Sequence, residues 1–260
     1  MNLRRAVLGP TPPVRAGEGR VEVLGIPLTA LSQDGFVNEV ARRLAQGERG
    51  IALFTPDAWA AARAILYDDI RALYRQADLV ACDGTSLAWA ARVGGHPLPR
   101  VAGVDLAWAL CARGTEVGWS VYLLGGRPGV AAAAARRVRA AFPGLRIVGT
   151  HHGYFAGGGP VREIRRLQPD LLLVALGHPK QERWILAHRD LGAGLLMGVG
   201  GTLDLWAGRF CRAPRAWQRL GLEWLWRAAQ DPRRVRRLWA VPFLLYHIGL
   251  GWTRCRGKRG

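Results

Sequence analysis

Short runs of apolar residues recur at 21–26, 51–55, 79–82, 120–125, 146–149, 171–176 and 195–199. Each run is continuous rather than alternating, the pattern of a strand buried on both faces of a sheet. Between them, apolar residues spaced three and four apart predict helices over 33–46, 59–76, 104–113, 130–142 and 181–188. Strand and helix alternate, so the expected fold class is α/β, a Rossmann-like, mostly parallel, doubly wound sheet. Ligands of such sheets bind beyond the carboxyl ends of the strands.

The pattern breaks at both ends. Residues 1–20 read as a poorly ordered leader, since 9–20 are rich in Pro, Gly and Arg, and 21–205 form the α/β core. From 206 to 260, twelve arginines and Lys258 face only Glu223 and Asp231, with Trp206, Trp217, Trp224, Trp226, Trp239 and Trp252 among them. This is a basic, Trp-rich helical C-terminal appendage. Its apolar run, 238–252, is interrupted by Pro242 and is shorter than the roughly 20 residues of a spanning helix, so it is not expected to cross a bilayer. Tryptophan at headgroup depth and arginine against anionic lipid fit an interfacial element. A helix packed against the sheet has the same pattern, and the sequence leaves both open.

The net charge of +18 is carried by arginine, because Lys180 and Lys258 are the only lysines, and it calls for an anionic partner such as phosphate, nucleic acid or acidic lipid. Cysteines 82, 111, 211 and 255 show no Cys-x-x-Cys spacing, which argues against a zinc site or a disulfide framework. Arg4 and Arg5 are followed by Pro10, Pro12 and Pro13 rather than by an apolar signal-peptide core, so synthesis and retention in the cytoplasm are expected.

Candidate chemistry gathers after the strands. Asp83 follows the run 79–82 directly, where a carboxylate can take a proton from a hydroxyl or cap the helix that begins near Thr85. Thr55-Pro56-Asp57 ends the preceding run on the same rim. Gly177-His178-Pro179-Lys180-Gln181-Glu182-Arg183 places polar side chains at a third strand end, and Gly198-Val199-Gly200-Gly201-Thr202-Leu203-Asp204 pairs glycine turns with polar groups at a fourth. Gly125-Gly126-Arg127-Pro128-Gly129-Val130 fits a phosphate-binding turn as well as a simple tight turn. His151 and His152 have no partner in sequence and read as surface or packing residues.

Together these segments resemble the WecG/TagA/CpsF family of bacterial glycosyltransferases over about residues 21–240. The resemblance rests on Thr55-Pro56, Ala77-Asp78-Leu79, Asp83-Gly84, Arg100 with Ala102-Gly103 and Asp105-Leu106, Gly149-Thr150 to Tyr154-Phe155, the 177–183 and 198–204 blocks, Arg212-Ala213-Pro214 and Gly221-Leu222-Glu223-Trp224. It implies inverting, metal-independent transfer from a UDP-sugar, N-acetylmannosamine, its uronic acid or a related hexose, to an undecaprenyl-diphosphate-linked acceptor in cell-surface polysaccharide synthesis. No cofactor is implied.

Under the resemblance Asp83 is the catalytic base, and Thr55, Arg100 and Gln181 match substrate-contacting positions. Asp57, Glu182, Gly200 and Asp204 join them as candidate substrate-binding residues. Arg212, Arg215, Arg219 and Arg227 are candidates for holding the departing diphosphate, whose charge fixed cations can neutralise in place of a metal. Asp57 stands where members of the family commonly have Asn. The expected partners are a UDP-sugar, a polyprenyl-diphosphate-linked glycan and an anionic membrane surface at the cytoplasmic face, with no nucleic acid. Two other classes compete: a nucleotide-dependent oxidoreductase, which lacks its dinucleotide fingerprint here, and a non-catalytic nucleic-acid binder built on the Arg and Trp tail.

Overall fold

The continuous apolar runs become a six-stranded parallel sheet. A computed structural model describes residues 15–17, 19–214, 216–217, 223–230, 235 and 237–256. The sheet strands are β4 (Ile51–Phe54), β5 (Leu79–Val80), β6 (Ser120–Gly125), β7 (Arg146–His151), β8 (Leu171–Ala175) and β9 (Leu195–Gly198), in the order β5-β4-β9-β8-β6-β7. Every neighbouring pair is parallel.

Period-two alternation sends Leu53, Leu123, Leu173 and Met197 to one face, where α1 (Gln33–Ala45), α5 (Gly103–Val117), α6 (Val130–Ala141) and α9 (Thr202–Trp206) cover them. Phe54, Leu124, Leu172, Val174 and Leu196 face the other way. They meet α2 (Ala58–Leu66), α3 (Asp68–Arg75), α4 (Thr85–Val93), α7 (Val161–Leu167), α8 (Lys180–Ala187) and the appendage helix α11 (Ala240–Arg256). The shorter α10 (Glu223–Gln230) precedes α11.

Two stretches differ from the expected elements. The run 21–26 is a hairpin: β2 (Arg20–Val23) turns at Leu24 and Gly25 into β3 (Ile26–Thr29). Both turn residues have positive φ, 53° and 82°, as a two-residue hairpin turn needs. Leu24 is buried, so the reversal leaves no polar mark in the sequence. β1 (Arg15–Gly17), inside the stretch expected as a leader, pairs antiparallel with β2; residues 1–14 and 18 lie outside the described residues.

The helix expected over 59–76 is two helices, α2 and α3. Tyr67 between them is extended, and Asp68 and Asp69 in the first turn of α3 favour a new helix start. In the appendage, Pro242 sits in the first turn of α11, where its missing N–H breaks no helical hydrogen bond.

Carboxylates at the amino edge of the sheet hold strands together. Asp78 accepts from the Ala52 N–H at 2.8 Å and pairs with Arg189 at 2.5 Å. Asp170 accepts from the Ser120 N–H and hydroxyl, both at 2.9 Å. At the opposite edge the last residue of β6, Gly125, has φ 133°, and a Cβ there collides with the Ala175 carbonyl of β8. Gly125→Ala is therefore expected to destabilise the protein by about 2–4 kcal/mol. Urea unfolding followed by tryptophan fluorescence checks this; an unchanged midpoint contradicts it.

Candidate active site

The carboxyl ends of all six strands open onto one cleft of about 750 Å³. Thr55 and Asp57 reach it after β4, Asp83 after β5, Gly126 and Arg127 after β6, Gly153, Tyr154 and Phe155 after β7, Gly177, His178, Lys180, Gln181 and Glu182 after β8, and Val199, Gly200, Gly201 and Asp204 after β9. A recess of about 130 Å³ adjoins it, between Gly84 to Ser86, Trp59, Arg100 and the appendage residues Glu223, Trp224, Leu238 and Val241. Asp57, Asp83 and Arg237 line both spaces and so form the partition.

The backbone of Asp83 is fixed on both sides. The Ala81 N–H donates to Phe54 O at 2.8 Å, and the Val101 N–H to Cys82 O at 2.8 Å. Arg100 Nε donates to the Asp83 carbonyl at 2.9 Å. The cap position of α4 is occupied by Gly84, with no side chain capping that helix. The Asp83 carboxylate is thus not used as a cap. Burial, aided by the Asp83 charge, pushes the neighbouring Cys82 thiol up to about 12, so Cys82 is a packing residue and not a thiolate at neutral pH.

Asp57, in contrast, caps α2: its Oδ1 accepts from the Ala60 N–H at 2.9 Å. The Thr55 hydroxyl donates to Gly198 O at 3.2 Å, joining the ends of β4 and β9. Gln181 is buried and joins β8 to β9, because its Oε1 accepts from the Gly200 N–H at 3.0 Å. Its Nε2 donates to Oε1 of the buried Glu182 at 3.1 Å. Asp204 lines the cleft with Arg209, whose Nε lies 3.6 Å from it.

Two ion pairs of opposite polarity cross from core to appendage. Core Arg100 donates to the buried Glu223 at 3.2 Å. Appendage Arg212 forks onto core Asp105 through two bonds of 2.6 and 2.5 Å. The Asp105 hydrogen bonds raise the Arg212 pKa above the usual arginine value, against the opposing effect of burial, and the charges of Glu223 and Asp83 add to them. Arg212 lines neither space; its guanidinium is directed to Asp105. Arg215, Arg219 and the side chain of Arg227 lie outside the described residues.

Arg209 of the tail lines the cleft with no distinguishing signal in sequence, and so does Arg237. Arg237 stacks over Trp59 at 6.0 Å and lines both spaces. Nothing in sequence separates it from the other arginines of the tail. His178, one of the polar side chains of the 177–183 block, also lines the cleft. It contacts the Tyr74 hydroxyl at 3.2 Å and lies 3.3 Å from Glu182 on the cleft floor. His151 and His152 pack in their own loop, His151 Nδ1 lying 2.7 Å from His152 O.

The arrangement is an α/β fold with a divided cleft at the carboxyl edge of its sheet and a carboxylate, Asp83, on the partition. The model of the glycosyl transferase WecG/TagA/CpsF family matches residues 21–258, and the chain belongs to that family. It is a glycosyltransferase, as the motif resemblance implied. It is also 30% identical, over 240 residues, to the N-acetylglucosaminyldiphosphoundecaprenol N-acetyl-beta-D-mannosaminyltransferases of Staphylococcus aureus strains MW2 and NCTC 8325 / PS 47. Those alignments cover 90% of this chain and 94% of each relative.

The Arg212–Asp105 fork makes a prediction about the role of that arginine. Arg212→Ala and Asp105→Asn should each lower glycosyl transfer, by about tenfold, and the double variant should be no worse than either single one. Steady-state kinetics of the four proteins check this. Additive losses would instead put the Arg212 guanidinium on substrate.

Proposed function

We propose that this glycosyltransferase moves a hexose from a UDP-sugar to a polyprenyl-diphosphate-linked glycan with inversion, and that Asp83 is the base. The observation that carries the reading is the position of Asp83 on the partition between the two spaces. The larger space, with backbone exposed at Gly126, Gly177, Gly200 and Gly201, suits a nucleotide diphosphate sugar. The smaller one adjoins the appendage and takes the acceptor end.

The acceptor hydroxyl gives its proton to the Asp83 carboxylate as its oxygen bonds to the anomeric carbon. The bond from that carbon to the diphosphate oxygen breaks, and UDP leaves with the electron pair. Developing charge on the diphosphate is met by fixed cations of the cleft, among them Arg237, Arg127 and Arg209, without a divalent metal. The names of the relatives suggest N-acetylmannosamine as the sugar and N-acetylglucosaminyl-diphosphoundecaprenol as the acceptor.

The acceptor lipid brings the enzyme to the cytoplasmic face of the membrane. No helix among the described residues is long and apolar enough to cross it. The appendage instead exposes Val235, Trp239, Leu245 and Tyr246, which suits a peripheral, interfacial contact.

Asp83→Asn should lower transfer of labelled sugar to a polyprenyl-diphosphate acceptor by about 10²–10⁴-fold while leaving UDP affinity within twofold. Wild-type turnover should survive EDTA. Normal transfer by Asp83→Asn overturns the base assignment, and loss of turnover restored by added magnesium overturns the metal-free reading.

The membrane contact is tested separately in the full chain. Replacing Trp239, Leu245 and Tyr246 together by Ala should reduce co-sedimentation with vesicles containing phosphatidylglycerol by at least about tenfold. Unchanged sedimentation removes these residues from the contact.

A further inference from the structure

Two residues that line the larger space each bury a polar atom with no hydrogen-bond partner among the described residues: Nε2 of His178 and Oε2 of Glu182. Both side chains line the cleft, and only 8% and 3% of their surfaces are exposed. A polar atom kept dry without a partner is costly, more so when charged, so such atoms mark places where a ligand completes the bonding.

The remaining atoms of this cluster are committed. Glu182 Oε1 accepts from Gln181, and Gln181 Oε1 accepts from the Gly200 N–H. His178 Nδ1 meets the hydroxyl of Tyr74, which burial, helped by the Glu182 charge, holds in its neutral form. Glu182 Oε2 lies 3.3 Å from His178 Nδ1 but outside hydrogen-bond geometry. The two side chains are therefore held in place from behind, with one unused atom each.

The chemistry of those atoms selects the ligand. A carboxylate oxygen only accepts, so the ligand must bring a donor to Glu182. An imidazole nitrogen donates or accepts according to its tautomer, and a hydroxyl satisfies either. A phosphate or a uronate carboxylate set against Glu182 meets a like charge and is disfavoured. Neighbouring hydroxyl groups of a neutral sugar satisfy both atoms.

We propose that His178 and Glu182 form the subsite that recognises ring hydroxyls of the transferred hexose. This rests on the reading that the larger space holds the UDP-sugar, and it adds two specificity residues to that reading. Gln181 and Tyr74 act as positioning residues behind them.

The test uses full-length protein with UDP-N-acetylmannosamine and its 3-, 4- and 6-monodeoxy forms, comparing wild type, Glu182→Gln and His178→Phe. Wild type should lose at least about 100-fold in kcat/KM on one or two of the deoxy donors, since a site built to bond a hydroxyl rejects its absence. Each variant should lose a comparable factor on the parent donor. On the deoxy donor lacking the hydroxyl it holds, it should lose little more, while UDP affinity by calorimetry stays within twofold.

Losses of the same size on every donor assign these residues to the fold rather than to the sugar and overturn the proposal. So does a wild type indifferent to all three deletions, a result that needs no variant to fold. Failure of wild type to bind UDP at all overturns the nucleotide-donor reading itself, and is seen separately in the calorimetry.

Discussion

Arg100 joins the two halves of the site. Its Nε holds the carbonyl of Asp83, and its terminal nitrogen holds Glu223, a carboxylate 6% exposed at the start of α10. Removing an ion-pair partner from a buried carboxylate is costly, so Arg100 contributes to docking the appendage. The same guanidinium fixes the backbone from which the Asp83 side chain projects. Appendage position and carboxylate position are therefore mechanically coupled through one planar group. The Arg212–Asp105 pair, with its polarity reversed, makes the docking specific in register, because sliding the appendage sets like charges against each other.

The acidic residues divide by which edge of the sheet they occupy. Asp78 and Asp170 precede their strands, and their oxygens are spent on strand N–H groups and an arginine. Asp57 and Asp83 follow theirs, where ligands of parallel sheets bind. Of these two, Asp57 gives one oxygen to the first turn of α2, and an asparagine carbonyl can do the same. The Asn that the resemblance gives for that position would keep this cap, and Asp57 also lines both spaces of the cleft. The carboxylate of Asp83 does not cap the helix that follows it.

The strands of the parallel sheet were legible because burial on both faces leaves a continuous apolar signature; the run 120–125 matches β6 (Ser120–Gly125) residue for residue. The hairpin at Leu24 was hidden for a related reason, since a buried turn residue continues the apolar run it interrupts. The break at Tyr67 was hidden because helical spacing persists across a single extended residue. In the site, placement after a strand pointed to Thr55, Asp83, Gln181, Glu182, Gly200 and Asp204, all of which line the cleft. It gave no information about Arg237, whose position depends on how the appendage folds back over Trp59. Charge density marked the tail as functional but could not tell an arginine facing Asp105 from one facing the cleft.

Floor and roof of the cleft are built on different principles. The floor is a chain of short contacts, Tyr74 of α3 to His178, Glu182 to Gln181 in the first turn of α8, and Gln181 to Gly200 after β9, packed on a sheet that cannot deform without breaking ladder bonds. Such a surface holds polar atoms in fixed places, as discrimination among sugars differing by one hydroxyl requires. The roof is carried by aromatic edges, Trp59 on Trp239 and Trp239 on Phe243, and by the two ion pairs. Aromatic and charged contacts at a partly exposed seam tolerate small displacements better than a hydrogen-bonded lattice does. On the proposed reading, selectivity for the sugar belongs to the rigid part of the molecule. On the same reading, neutralisation of the leaving group is shared with the appendage.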